Sequence, residues 1–223
     1  MEHLESNAHL FMQDKLVRKR IVPVAVLENR EAAVPLARAL ARGGLPVIEV
    51  TLRTPCALDC IRAIRAECPE LLVGAGTVLN AEQVKLAINA GAHFGVSPGL
   101  NETVVRAAQE RGWFFVPGVM TPSEVERALG LGCRLLKFFP ADAAGGVRML
   151  KALAGPYAPA GVRFIPLGGI SGANMTDYLA LPIVDAVGGS WLCERGLVRE
   201  ERWLEITRLS AEAVEQAGKA RMN

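Results

Sequence analysis

Short apolar runs alternate with helix-period segments along nearly the whole chain, and this alternation limits the fold more than any other feature. The runs are Ile21–Leu27, Pro46–Leu52, Leu71–Gly76, His93–Ser97, Trp113–Pro117, Arg134–Phe138, Val162–Pro166 and Ile183–Val187. The helical segments are Arg30–Arg42, Pro55–Cys68, Ala81–Ala90, Glu102–Glu110, Pro122–Leu131, Gly146–Ala154, Gly172–Leu181 and Glu200–Ala217. Strands that are apolar almost throughout, separated by helices, signal parallel βαβ units covered on both faces. Eight such units in 223 residues is the count that closes a barrel. The predicted class is therefore α/β, a (β/α)8 TIM barrel. A doubly wound open sheet is the competing architecture. Gly74-Ala75-Gly76, however, lacks the third glycine and the downstream acidic residue of a dinucleotide-binding turn.

Local punctuation supports these boundaries. Thr54-Pro55 and Thr121-Pro122 each offer a capping side chain followed by a first-turn proline. Glycines follow the helical segments at Gly43-Gly44, Gly91, Gly112 and Gly132, where a left-handed residue ends a helix. No linker or low-complexity tract appears, so residues 1–223 read as a single domain. Residues 1–20 read as an N-terminal helical extension anchored by Leu10, Phe11 and Leu16.

A net charge of +2, with both signs interspersed and no aromatics between basic residues, gives no nucleic-acid footprint. Apolar stretches are broken by Gly and Pro, so no membrane span is expected. The first residues lack the basic start and apolar run of a secretory signal. Five cysteines with no framework point to free thiols in a reducing compartment, and so to a cytoplasmic protein. Cys56 and Cys60 could touch on a helix, but the three histidines are not placed by sequence to complete a metal site, and none is expected.

Against this apolar background a few polar residues stand out. Lys137 interrupts the run Leu135-Leu136-Lys137-Phe138-Phe139-Pro140. Lysine is seldom buried without a partner. Low dielectric disfavours the ammonium, leaving an amine that can attack a carbonyl carbon. The alternative is a lysine that snorkels out at the strand end. In the second run, Val47, Glu49, Thr51 and Arg53 share one face by strand alternation, and Ile48, Val50 and Leu52 share the other. With the apolar face against the helices, Glu49 and Arg53 point into the barrel. There they are costly unless used or paired, and a structural ion pair is the alternative. Thr77 ends the third strand; Ser97-Pro98-Gly99 ends the fourth. Lys137 and Phe139 share the face that would join Glu49 and Arg53 at the functional rim.

Gly168-Gly169 follows the seventh run, and Gly188-Gly189-Ser190 follows the eighth. Paired glycines let backbone N–H groups approach an anion, and a short helix from Ser190 would add its positive end. Loops seven and eight of a barrel commonly form a phosphate site, although glycine often serves only a turn. A neutral lysine, a carboxylate, an arginine and a phosphate cradle suit Schiff-base chemistry on a phosphorylated 2-oxo acid. The iminium would be the electron sink, so no metal or other cofactor is expected. A barrel isomerase or epimerase of sugar phosphates, and a non-catalytic phosphate-binding barrel, are the rival readings.

The ordered motifs Glu49-Val-Thr-Leu-Arg53-Thr, Gly74-Ala-Gly-Thr77-Val-Leu-Asn80, Ser97-Pro98-Gly99, Lys137-Phe-Phe-Pro140 and Gly168-Gly-Ile170 resemble the 2-keto-3-deoxy-6-phosphogluconate aldolases. The resemblance runs from about Val22 to the C-terminal helix. It implies a class I lyase of the Entner–Doudoroff pathway, usually a homotrimer. Such an enzyme releases pyruvate and glyceraldehyde 3-phosphate, with side activity on 4-hydroxy-2-oxoglutarate. It further implies Lys137 as the Schiff-base lysine, Glu49 as general acid/base, and Arg53 and Thr77 as carboxylate ligands. Pro98 and Phe139 would line the substrate, and Gly168, Gly169, Gly189 and Ser190 would hold the phosphate end. One departure stands out: the family pattern Pro-Thr-Gly-Gly is here Pro166-Leu167-Gly168-Gly169. The lost hydroxyl normally faces the middle of the substrate, so weaker discrimination between C4 epimers is expected.

Overall fold

A computed structural model describes residues 2–220. In chain order the elements begin with α1 (Glu2–Val17), β1 (Ile21–Ala25), α2 (Ala33–Arg42), β2 (Val47–Thr51), α3 (Ala57–Glu67), β3 (Leu72–Gly76), α4 (Ala81–Asn89) and β4 (Phe94–Val96). They continue with α5 (Glu102–Gln109), β5 (Phe114–Val116), β6 (Gly118–Val119), α6 (Pro122–Gly130), β7 (Leu135–Phe138), α7 (Gly146–Tyr157) and β8 (Arg163–Pro166). The last are α8 (Met175–Leu179), β9 (Val187–Gly189), a 3-10 turn (Trp191–Cys193), α9 (Arg195–Arg199) and α10 (Trp203–Lys219).

Every strand pair is parallel. Six strands run in the order β5-β4-β3-β2-β1-β9, and three in the order β6-β7-β8. Parallel bridges Phe164–Val184 and Leu167–Gly188 tie the smaller set to the larger. The fifth apolar run is divided into β5 and β6 at Pro117, which has no N–H to give to a ladder. Its carbonyl still accepts from the Lys137 N–H at 2.9 Å. The whole is a curled parallel sheet with helices outside.

Alternation along each strand splits the core in two. Ile48 and Val50 of β2, Val73 and Ala75 of β3, and Leu136 and Phe138 of β7 pack outward against the helices. Val47, Leu72, Phe94, Leu135 and Ile165 form a separate cluster on the concave side. Leu16 of α1 joins that inner cluster and is 1% exposed. The other two expected anchors of α1 do not serve as such: Leu10 and Phe11 are 55% and 60% exposed. One helix face meets the end of the sheet, and both residues lie off that face.

Two further expectations shift. The eighth strand is displaced from Ile183–Val187 to Val187–Gly189. Residues 181–185 instead form a turn, with Val184 N–H donating to Leu181, and the Asp185 carboxylate accepting from Arg163 Nε at 2.6 Å. Gly188 and Gly189 therefore lie inside a strand. The helix at Pro55 begins later, at Ala57, and the Thr54 hydroxyl does not cap it but sits 3.6 Å from Cys56 Sγ. Thr121, by contrast, makes the expected cap: its Oγ1 accepts from Glu124 N–H, and Glu124 accepts from Thr121 N–H at 2.8 Å. No helix among the described residues is long and apolar enough to cross a membrane.

Candidate active site

Glu49 and Lys137 reach each other across the concave side from strands that are not neighbours in either sheet. Glu49 is on β2, flanked by Val24 of β1 and Gly74 of β3. Lys137 is on β7, flanked by Gly118 of β6 and Ile165 of β8. Lys137 Nζ lies 3.7 Å from Glu49 Oε1, with the side chains 7% and 2% exposed. The lysine amine also stands 5.1 Å from the centre of the Phe139 ring. Lys137 thus points inward, and the snorkelling alternative fails.

Glycine makes the room for this pair. A Cβ on Gly76 would sit 2.0 Å from Glu49 Oε1, so any side chain there would displace the carboxylate. Glu49 Oε1 has no hydrogen-bond partner among the described residues. A buried acceptor left open in this way is costly, and it is the kind of atom held ready for a ligand or a proton.

The pair opens into a cavity of about 490 Å³ at the carboxyl ends of the strands. Its walls include Arg53, Thr77, Pro98, Phe139, Gly168, Gly189 and Ser190 as well as Glu49 and Lys137. Of the sequence-predicted site residues, Gly169 does not line it. Its φ is +75°, and a Cβ there would meet Asp142 Cβ at 2.3 Å, so it serves the packing of the loop after β8 on the loop after β7. Arg53 lies two residues beyond β2 and is exposed at the rim, not inside the sheet. The ion partner of Glu49 is Lys137, so the alternative of a buried structural Glu49–Arg53 pair fails. Sequence distance misled here because the strand ends at Thr51.

Thr77 has φ +59°, a left-handed conformation that a β-branched residue seldom adopts. Such strain costs on the order of 1–3 kcal/mol and persists where surrounding structure holds it. Here Leu52 N–H donates to Gly76 and Val78 N–H to Val96, fixing the backbone on both sides. Thr77 does not cap the next helix; Asn80 does, accepting from Gln83 N–H at 2.9 Å. Pro98 is set by Ser97, whose hydroxyl donates to Gly99 O at 2.7 Å. Ser190 precedes only a three-residue 3-10 turn, too short to supply the expected positive helix end.

Several lining residues escaped the sequence reading: Val24, Val26, Thr51, Cys193, Glu194 and Arg195. Thr51 was visible on the Glu49 face and Val24 lies within β1 beside Glu49, while the others lie past strand ends, where alternation gives no signal. Cys193 is a rival nucleophile by position, but burial pushes its thiol up to about 12, so it stays protonated. Cys60 is likewise pushed to about 12, by burial first and by Cys56 next. Among the described residues no group of three or more His, Cys, Asp or Glu side chains is placed to hold a metal.

A parallel α/β sheet with an amine and a carboxylate buried against each other at its carboxyl end defines the class of lyases that work through a lysine Schiff base. A family model for KDPG and KHG aldolase matches residues 12–209. The KHG/KDPG aldolase of Escherichia coli is 51% identical over 197 residues, 88% of this chain and 92% of that one. A KDPG aldolase from Legionella pneumophila, with pyruvate captured as a covalent carbinolamine, superposes with a TM-score of 0.84. It has 42% identity and covers 87% of this chain and 93% of its own. The 2-keto-3-deoxy-6-phosphogluconate aldolase of Zymomonas mobilis with 3-phosphoglycerate also gives 0.84, at 41% identity over 91% and 94% of the two chains. The chain belongs to the KDPG and KHG aldolase family.

Proposed function

We propose that this protein is a class I aldolase that cleaves 2-keto-3-deoxy-6-phosphogluconate to pyruvate and glyceraldehyde 3-phosphate. The observation that carries the reading is the buried contact of Lys137 Nζ with Glu49 Oε1 at 3.7 Å. The carboxylate takes a proton from the ammonium, and the freed amine adds to the C2 carbonyl. Glu49 returns that proton to the carbinolamine oxygen, then carries a second proton from the nitrogen to the resulting hydroxyl, so that water leaves, the iminium forms and the carboxylate is regenerated. The C4 hydroxyl then gives its proton to the Glu49 carboxylate while the C3–C4 bond breaks. The bonding electrons flow into the iminium, giving an enamine of pyruvate and a free aldehyde. Protonation at C3 and hydrolysis release pyruvate and restore the amine.

Arg53 and Thr77, on the wall nearest Glu49, hold the C1 carboxylate, the guanidinium by two parallel bonds. Pro98 and Phe139 shape the sides. The backbone at Gly168, Gly189 and Ser190, which line the cavity, takes the phosphate. The carbinolamine in the Legionella pneumophila relative and the 3-phosphoglycerate in the Zymomonas mobilis relative support the two ends of this assignment. The same chemistry serves 4-hydroxy-2-oxoglutarate, whose C3–C4 bond breaks in the same sense. Borohydride reduction in the presence of pyruvate, read by mass spectrometry, should leave one pyruvate-derived adduct on Lys137. An unmodified Lys137, with product still formed, would refute the imine route.

We also infer that the sheet closes as a (β/α)8 barrel of one domain, with α1 as an N-terminal extension. The bridges Phe164–Val184 and Leu167–Gly188, and the continuity of β5 into β6 through Pro117, support closure. A cytoplasmic homotrimer is the assembly the family resemblance favours, and exposed Leu10, Phe11 and Met120 supply apolar surface for it. Sedimentation equilibrium would give three times the 23.9 kDa chain mass.

A further inference from the structure

We propose that Arg195 is a substrate-recognition residue that takes the second negative charge of a doubly anionic 2-oxo acid at the cavity mouth. The inference rests on the aldolase reading and goes beyond it, by assigning selection at the far end of the substrate to a side chain. Three cationic side chains line the cavity: Arg53, Lys137 and Arg195. Lys137 is committed to Glu49 and to C2. A C1 carboxylate is one bond from C2, so its cation must stand on the wall close to Glu49, where Arg53 follows β2. C6 is four bonds further on, and its phosphorus two bonds beyond that, roughly 7–8 Å from C2 in an extended chain by bond lengths alone. The phosphate falls on another wall, made by Gly168, Gly189 and Ser190, and Arg195 is the cation five residues past Ser190.

The backbone N–H groups on that wall favour an anion through their dipoles but bring no net positive charge to neutralise it. Glu194 also lines the cavity and repels anions. A cation at this end offsets Glu194 and strengthens the selection for a dianion over a neutral end. Arg195 Nη1 is held 3.3 Å from Glu28 Oε1, with both side chains more than half exposed. Glu28 lies in the loop after β1, the neighbour of β9 in the sheet, so the pair spans adjacent loops of the mouth. An ion pair this exposed is weak. The guanidinium can leave it for a phosphate, which it binds more strongly through paired N–H bonds.

The test is steady-state kinetics of wild type, Arg195→Ala and Arg195→Lys on two substrates: 2-keto-3-deoxy-6-phosphogluconate and its unphosphorylated counterpart. Losing one charge-assisted contact should raise KM for the phosphorylated substrate on the order of tenfold in Arg195→Ala, with kcat within about twofold. KM for the unphosphorylated chain should not move, and Arg195→Lys should recover part of the loss. An unchanged KM for the phosphorylated substrate, or an equal rise for both substrates, overturns the proposal; the latter would make the Arg195–Glu28 pair merely structural. Pyruvate trapping on all three proteins separates the two levels. Absence of the adduct sinks the aldolase reading, whereas an adduct in all three proteins without the KM split sinks only the role of Arg195.

Discussion

The concave side of the sheet has a dry end and a polar end built from the same strands. Val47 and Glu49 are two residues apart on β2, and Leu135 and Lys137 two apart on β7. Val47 and Leu135 belong to an aliphatic floor with Leu16, Val22 and Phe94, while Glu49 and Lys137 form the mouth. Two residues of strand span about 6.6–6.8 Å. Over that distance the environment changes from close-packed hydrocarbon to a charged pair beside a cavity. The difference separates two jobs. The floor fixes the strands and the lysine stem, and the mouth spends that rigidity on an ion pair that alone would not stabilise the fold.

Changes at the mouth should remove activity and leave the fold standing. Lys137→Met removes the nucleophile, and kcat/KM should fall by at least about 10⁴-fold. It also leaves Glu49 buried without its ion partner, which should cost stability. Adding Glu49→Leu to that variant should restore part of the lost denaturation midpoint without restoring activity; a double variant less stable than Lys137→Met would show that the pair stabilises the fold on its own account. Glu49→Gln keeps the shape and removes the proton carrier, so kcat should drop about 10²- to 10⁴-fold. A kcat within fivefold of wild type would remove Glu49 from the proton path.

Changes at the floor should do the reverse. Leu16→Ala removes a side chain that is 1% exposed within the inner cluster. It should cost about 2–5 kcal/mol in urea denaturation, with kcat/KM per folded molecule unchanged to about twofold. A tenfold fall in kcat/KM with little loss of stability would mean that the floor and the mouth are not separable, and that α1 acts on the lysine directly.

The floor was the more legible of the two ends. Strand alternation assigned Val47 and Leu135 to the inner face together with Glu49 and Lys137, because that face is set by backbone geometry alone. The parallel α/β class followed from the same periodicity. Most of what escaped lies past the strand ends. Arg53 was read as interior because the apolar run continues through Leu52, but β2 stops at Thr51 and the guanidinium turns to the rim. Leu10 and Phe11 looked like anchors because apolar residues on a helix usually are; only tertiary contact tells that Leu16 alone of the three meets the inner core. Arg195 and Cys193 carried no periodic signal, since a 3-10 turn and a short helix place them. The left-handed backbone of Thr77 could not be read from its residue type, which argues against it.

Leu167 stands on the border between the two ends, and the smallest expected effect lies there. It belongs to the inner aliphatic cluster and yet lines the cavity. Gly188 is the residue that admits it: a Cβ there would sit 2.6 Å from Leu167 Cγ. A substrate hydroxyl on this side of the cavity meets methyl groups and finds no hydrogen-bond partner in Leu167. An apolar wall rejects a misplaced hydroxyl weakly, whereas a wall that hydrogen-bonds to a correctly placed one discriminates far better. Leu167→Thr should therefore sharpen the preference between 2-keto-3-deoxy-6-phosphogluconate and its C4 epimer, by about tenfold in the ratio of kcat/KM values. The same change should lower stability, because it opens space beside Gly188 and puts a hydroxyl into the inner cluster. Two outcomes would sink this reading. A wild type already as strictly gluconate-selective as the variant means that selection comes from elsewhere on the wall. A variant that loses stability with no change in the ratio assigns Leu167 wholly to the floor.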